Sequence, residues 1–256
     1  MNKRKKLATA IAIFLFMIVA LEVVYIFSEL YSENEVPTDP VITDAVKFKE
    51  EYESLNGTKS VNDQEIRSIT IDEDNPFIYA TEDDIVKMID NKETFVVYFG
   101  FTACPWCRSV LESLVSAAKE NNITKIYYVN VLDIRDKYEL NDKNKAVRTV
   151  EGTEGYYALL KRIGSVLDDY SPLSYKTSKN KTKQVKIGEK RIYAPNIVTV
   201  KNGEAVSMET GIVDALVDPY MELTDEMTCE MKEIFKCLFD TLKDDVEVCE
   251  IDAQKC

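Results

Sequence analysis

The 256-residue chain contains no histidine. That absence excludes Ser-His and Cys-His nucleophilic pairs and every histidine-ligated metal centre, leaving carboxylates, lysines, tyrosines and thiols to carry any chemistry. Positive charge is also short: 32 Lys and Arg stand against 45 Asp and Glu, a net charge of −13. A nucleic-acid partner would need a basic face, so none is expected. What the chain does have is a 45% hydrophobic composition and enough length for a real core in one or two domains.

Six cysteines stand at 104, 107, 229, 237, 249 and 256. The even count is compatible with three disulfides and an oxidising compartment, although the last four could equally be buried free thiols. Residues 94–99, Thr-Phe-Val-Val-Tyr-Phe, form a β-branched and aromatic run that predicts a buried strand. A short loop through Gly100 leads to Cys104-Pro105-Trp106-Cys107 and then to apolar positions at helical spacing, Val110, Leu111, Leu114, Val115 and Ala118. Pro105 suits the first helical position, where its missing N–H has no partner to lose. Cys104 then faces the free N–H groups and the positive end of the helix, which favour a thiolate. Two thiols so spaced can close a disulfide with little backbone movement.

The chain begins with a basic patch, Lys3-Arg4-Lys5-Lys6, ahead of an apolar stretch over residues 7–27 interrupted by Glu22. Such a stretch is long enough to span a bilayer about 30 Å thick. The basic cluster would keep residues 1–6 in the cytoplasm and send the rest across. A cleaved signal peptide and secretion is the competing reading, with Ile18-Val-Ala20 a tolerable site. Residues 28–64 read as an extracytoplasmic linker, polar and broken by Pro37 and Pro40, with a solvated stalk helix over 43–55 carrying Val46, Phe48, Tyr52 and Leu55.

A globular domain is expected over 65–220. Residues 66–71 alternate as a half-buried strand, and Thr81 to Asp84 is a capping box for a short helix. Residues 126–131 are the next buried strand, which makes a parallel pair across the cysteine helix. An irregular insertion occupies about 134–190, with a helix over 154–167 (Tyr157, Leu160, Ile163, Val166) and a Lys/Ser/Thr-rich loop over 171–190. Ala194-Pro195 precedes a strand at 196–201, Asn202-Gly203 turns a hairpin, and 204–208 returns. Pro195 is a natural place for a cis bond.

The last segment, 221–256, opens at Thr224 with a capped helix whose stripe is Met227, Met231, Ile234, Phe235, Leu238 and Leu242. Cys229 and Cys237 lie eight residues apart, about 12 Å along a helix, so they cannot bond each other. Two pairings with Cys249 and Cys256 remain. A tail folding back along the helix meets the cysteines in nested order, Cys237–Cys249 and Cys229–Cys256, which is the expected pairing. A zinc site is the alternative, but the spacings contain no Cys-x2-Cys knuckle.

Strand, Cys-x-x-Cys helix, strand, Ala194-Pro195 and Asn-Gly hairpin together resemble the thioredoxin superfamily over about residues 66–217. Residues 94–108 look most like the membrane-anchored, thioredoxin-like bacterial proteins of the bacteriocin transport accessory type. The resemblance implies an α/β fold with a central mixed sheet flanked by helices. It implies thiol–disulfide oxidoreductase activity with Cys104 as nucleophile and Cys107 as resolving thiol. Pro195 would be the cis-proline beside them, and Ala194 would pair with a substrate strand. Pro105 and an exposed Trp106 would form the substrate rim. Partners would be protein thiols or disulfides outside the membrane, with a membrane electron donor or secretion machinery behind them, and no cofactor beyond the Cys104–Cys107 pair and no metal. A binding module of a bacteriocin export system, without essential redox chemistry, is the alternative function. Three positions depart from the thioredoxin pattern. Tyr98 replaces a buried acid six residues before Cys104, Pro105-Trp106 replaces Gly-Pro, and Glu112 stands where thioredoxins kink the helix with proline. With Tyr98 there, proton transfer to or from Cys107 needs water or another group.

Overall fold

A computed structural model describes residues 16–23, 25, 42–60, 62–244, 249 and 256. The chain forms two units, Met1–Ile42 and Thr43–Cys256. In the first, residues 16–23 are helical and solvent-exposed. Among the described residues no helix is long and apolar enough to cross a membrane. The span expected over 7–27 lies largely outside the described residues.

The second unit is built on a five-stranded mixed sheet. Its strands are β1 (Phe77–Tyr79), β2 (Phe95–Gly100), β3 (Ile126–Asn130), β8 (Asn196–Lys201) and β9 (Glu204–Glu209), in the order β1-β3-β2-β8-β9. β2 runs parallel to β3 and antiparallel to β8, so it is paired on both sides. Every β2 residue is buried, which is why its sequence is a continuous apolar run rather than an alternation. Between β8 and β9 the chain turns at Asn202 (φ 53°) and Gly203 (φ 78°). Both turn residues have positive φ, as a two-residue hairpin of matching twist requires.

Helices cover both faces. On one lie α1 (Asp44–Glu53), α3 (Pro105–Glu120) and α5 (Asp225–Asp240); on the other lie α2 (Glu82–Asp90) and α4 (Glu154–Ile163). α2 starts at the Thr81–Asp84 capping box, and Thr224 caps α5 by accepting from the Met227 N–H. Between β3 and β8 sit two small hairpins, β4 (Lys137–Leu140) with β5 (Ala146–Val150), and β6 (Leu173–Lys176) with β7 (Thr182–Val185).

Four expectations need correction. Residues 66–71 form no strand; Ile66, Ile69 and Ile71 are nevertheless buried, and the Ile69 and Ile71 N–H groups bond to Asn56 and Glu53 side chains instead of a ladder. The stalk helix is no stalk. α1 drives Phe48 and Tyr52 completely into the core, so the domain begins near Thr43 and the expected linker over 28–64 fails in its second half. α4 buries Tyr156 and Leu159 in place of the expected Tyr157 and Leu160, keeps Ile163, and stops there. The 171–190 loop contains the β6–β7 hairpin. The stripe expected of α5 is buried at Met227, Met231, Ile234, Phe235 and Leu238, with Phe239 beside them and Leu242 only partly covered, in the same cluster as α3.

Candidate active site: a dithiol at the start of α3

Parallel β2 and β3 end side by side, Gly100 opposite Asn130, so the loops leaving them emerge together. The β2 loop places Cys104 at the N-cap of α3 in extended conformation (φ −70°, ψ 115°) with Pro105 in the first turn. Its sulfur does what a capping oxygen does elsewhere and accepts the Cys107 N–H at 3.2 Å. Across the site, Ala194 precedes Pro195 through a cis peptide bond, and the Ala194 carbonyl accepts the Cys104 thiol at 3.3 Å. Asn196, buried at the start of β8, holds that approach by accepting the Tyr193 N–H at 2.5 Å. Cys104, Cys107, Ala194 and Pro195 are therefore brought together. Both cysteines are free thiols.

The two thiols are electrostatically unlike. Hydrogen bonding to the Cys107 side chain, the Cys107 and Trp106 N–H groups and the charge of Arg135 hold the Cys104 thiol below its ordinary value, despite burial. Complete burial pushes Cys107 well above its ordinary value, and the neighbouring Cys104 adds to this. Cys104 is thus set to be the thiolate and Cys107 the reserve thiol. The expected rim is less open than its residues suggested. Trp106 is half-buried against the core rather than exposed, and Cys104 keeps only 3% of its surface accessible.

Several residues that matter here went unnoticed in the sequence. Arg108 is 1% exposed, and among the described residues its bonded partners are not carboxylates. Its guanidinium donates to the carbonyls of Arg67 (2.7 Å), Tyr52 (2.8 Å) and Thr102 (3.2 Å) and to Asn56 Oδ1 (2.6 Å), tying α1 and the 56–67 segment to the cysteine helix. A signal existed: Arg108, Leu111 and Val115 share one helical stripe that turns inward. Arg135, in the loop after β3, reaches the Ile192 carbonyl at 3.5 Å, and its guanidinium lies 5.7 Å from the centre of the Phe101 ring. Nearby, buried Asp136 bonds Arg191 (3.1 Å), whose guanidinium stacks over Tyr170 at 4.3 Å. This pair fixes the segment leading to Ala194. No local pattern announces Arg135, because the side-by-side pairing of parallel β2 and β3 is what brings it in.

At the far end of the chain, Cys229 bonds Cys256 and Cys237 bonds Cys249, with Cα–Cα distances of 5.6 and 5.4 Å. The nested arrangement follows. Among the described residues no group of three or more Cys, Asp or Glu side chains could hold a metal ion. Compared with known proteins, the chain matches no family model, and no curated protein matches it.

Proposed function

We propose that this chain is a thiol–disulfide oxidoreductase of thioredoxin-like fold, acting on protein substrates through Cys104 and Cys107 and held outside a bacterial membrane by residues 7–27. The observation that carries the reading is the unequal pair: Cys104 capping α3 as the thiolate, with buried Cys107 behind it and the Ala194-Pro195 turn in front. The parallel β2–β3 pair and the antiparallel β8–β9 hairpin around that site support the fold assignment, and the basic-then-apolar start of the chain supports the anchor.

The reaction needs nothing beyond the two thiols. Cys104 thiolate attacks one sulfur of a substrate disulfide, forming a mixed disulfide and expelling the other sulfur as a thiolate. Cys107 loses its proton and attacks Cys104 Sγ. The Cys104–Cys107 bond forms, the mixed disulfide breaks, and the substrate leaves as a dithiol carrying two electrons, with one proton from Cys107 and one from solvent because Cys104 reacted as a thiolate. Run backwards, the same steps oxidise a substrate.

The test is exchange with a disulfide-bonded peptide. Full-length protein should reduce it, C104S should be inert, and C107S should stall as a mixed disulfide at Cys104. A protein that forms no mixed disulfide, while Cys104→Ser, Cys107→Ala still supports bacteriocin export, would return the chain to the binding-module reading.

A further inference from the structure

Cys107 finishes the reaction, yet its surroundings oppose the thiolate it must become. It is fully buried. Of the groups around its sulfur, the hydroxyl of Tyr98 favours the ionised form most, against burial and the neighbouring Cys104, and the Phe101 N–H adds to it. Tyr98 is itself 0% exposed and lies on the β2 face that looks toward α3.

Three features hold that hydroxyl in place. The Tyr98 ring runs along the strand over Gly100, where any side chain would overlap its hydroxyl and ring carbons. The glycine is what lets the phenol extend toward the end of β2 from which Cys104 departs. The Tyr52 hydroxyl lies 3.1 Å from that of Tyr98, so it can donate to the Tyr98 oxygen and leave the Tyr98 proton for sulfur. Tyr128 stacks on the ring with centroids 5.6 Å apart. Burial keeps the Tyr98 phenol far above its ordinary ionisation range, so it remains a donor and does not act as a base.

We propose that Tyr98 donates the hydrogen bond that stabilises the Cys107 thiolate while it resolves the mixed disulfide, and that Tyr52 is the positioning residue that orients it. This rests on the oxidoreductase reading and names a residue within the same site. In the step concerned, the Cys107–Cys104 bond forms as the Cys104–substrate bond breaks. The proton given up by Cys107 is matched by one taken up by the leaving thiolate, and Tyr98 keeps its own.

Full-length parent, Y98F and Y52F are mixed with excess peptide disulfide, quenched in acid at intervals from pH 6 to 9, and mapped for the mixed disulfide at Cys104. Y98F should form it within about twofold of the parental rate but resolve it about tenfold more slowly, with the pH profile of resolution displaced upward. Y52F should shift the profile the same way, by about threefold in rate at pH 7. A parental resolution rate and profile in folded Y98F would overturn the assignment. If Y98F does not fold, Y52F decides on the same criterion. A parent that never forms the mixed disulfide would sink the oxidoreductase reading itself, whereas exchange that is indifferent to Tyr98 would sink this inference alone.

Discussion

The two faces of the central sheet are built from different material. On the α2–α4 face the core is Ile85, Ile89, Val97, Phe99, Val129, Leu159, Ile163, Val198 and their like, with Tyr156 and its neighbour Asp136, paired to Arg191, as polar exceptions. The α1–α3–α5 face holds both thiols, Tyr52, Tyr98 and Tyr128, and the buried Arg108 beside them. A polar group in a core costs free energy unless its partners are in place, so the second face is the harder one to build. It is also where the two free thiols sit. The apolar face supplies a rigid back wall, and the polar face uses α1 and α3 to satisfy groups that a scaffold alone would not need.

That contrast can be attacked from either side. The largest effect should come from R108M, which keeps the volume but removes the donor to three carbonyls and Asn56; a loss of about 4 kcal/mol in urea unfolding is expected. A loss below about 1 kcal/mol would mean that the network does not bind α1 to the site. On the opposite face, L159A should cost about 3 kcal/mol by opening a cavity under α4, with disulfide exchange at the parental rate in folded protein. If exchange fell with stability, the faces would not be separable.

Third in size is the tail. Removing Cys237–Cys249 by C237S with C249S opens a loop of 12 residues. The expected loss is about 2.5 kcal/mol, read from thermal or urea unfolding, with Cys104 alkylation unaltered. The smallest effect belongs to R135Q. Losing that cation raises the ionisation point of Cys104, so fewer thiolates are present at neutral pH. Iodoacetamide should then react about threefold more slowly at pH 7. The gap should close as pH rises past both ionisation points, because both proteins are then fully thiolate. Equal rates at every pH would remove Arg135 from the site.

The parts of this molecule that could be read from sequence are those written in contiguous residues. β2 announced itself by its unbroken apolar run, α3 by Pro105 and its stripe, the β8–β9 turn by Asn202-Gly203, and α5 by Thr224 and its methionines. Where the sequence misled, a distant element overrode the local pattern. α1 is rich in Lys and Glu and reads as solvated, yet Phe48 stacks on Phe77 and Tyr52 meets Tyr98, contacts that need β1 and β2 to exist. The β6–β7 hairpin is Lys- and Thr-rich and buries none of its strand residues fully, with only Leu173, Tyr175 and Val185 half-buried, so its face is too weakly apolar to stand out in the sequence. Cys104 and Cys107 were legible as a thiol pair at the start of a helix, but Tyr52, Arg108 and Arg135 were not legible as their neighbours. Tyr52 reaches the site from 46 residues away, and Arg135 through the pairing of parallel strands.

The most direct measurement is the redox equilibrium of each cysteine pair in the full-length protein. Aliquots are equilibrated across graded glutathione buffers, trapped with an alkylating mass tag and mapped by peptide. The account predicts one reversible two-electron transition at Cys104–Cys107, between about −120 and −270 mV, while Cys229–Cys256 and Cys237–Cys249 stay oxidised throughout. No reversible transition at Cys104–Cys107, or exchange confined to the tail pairs, would contradict it.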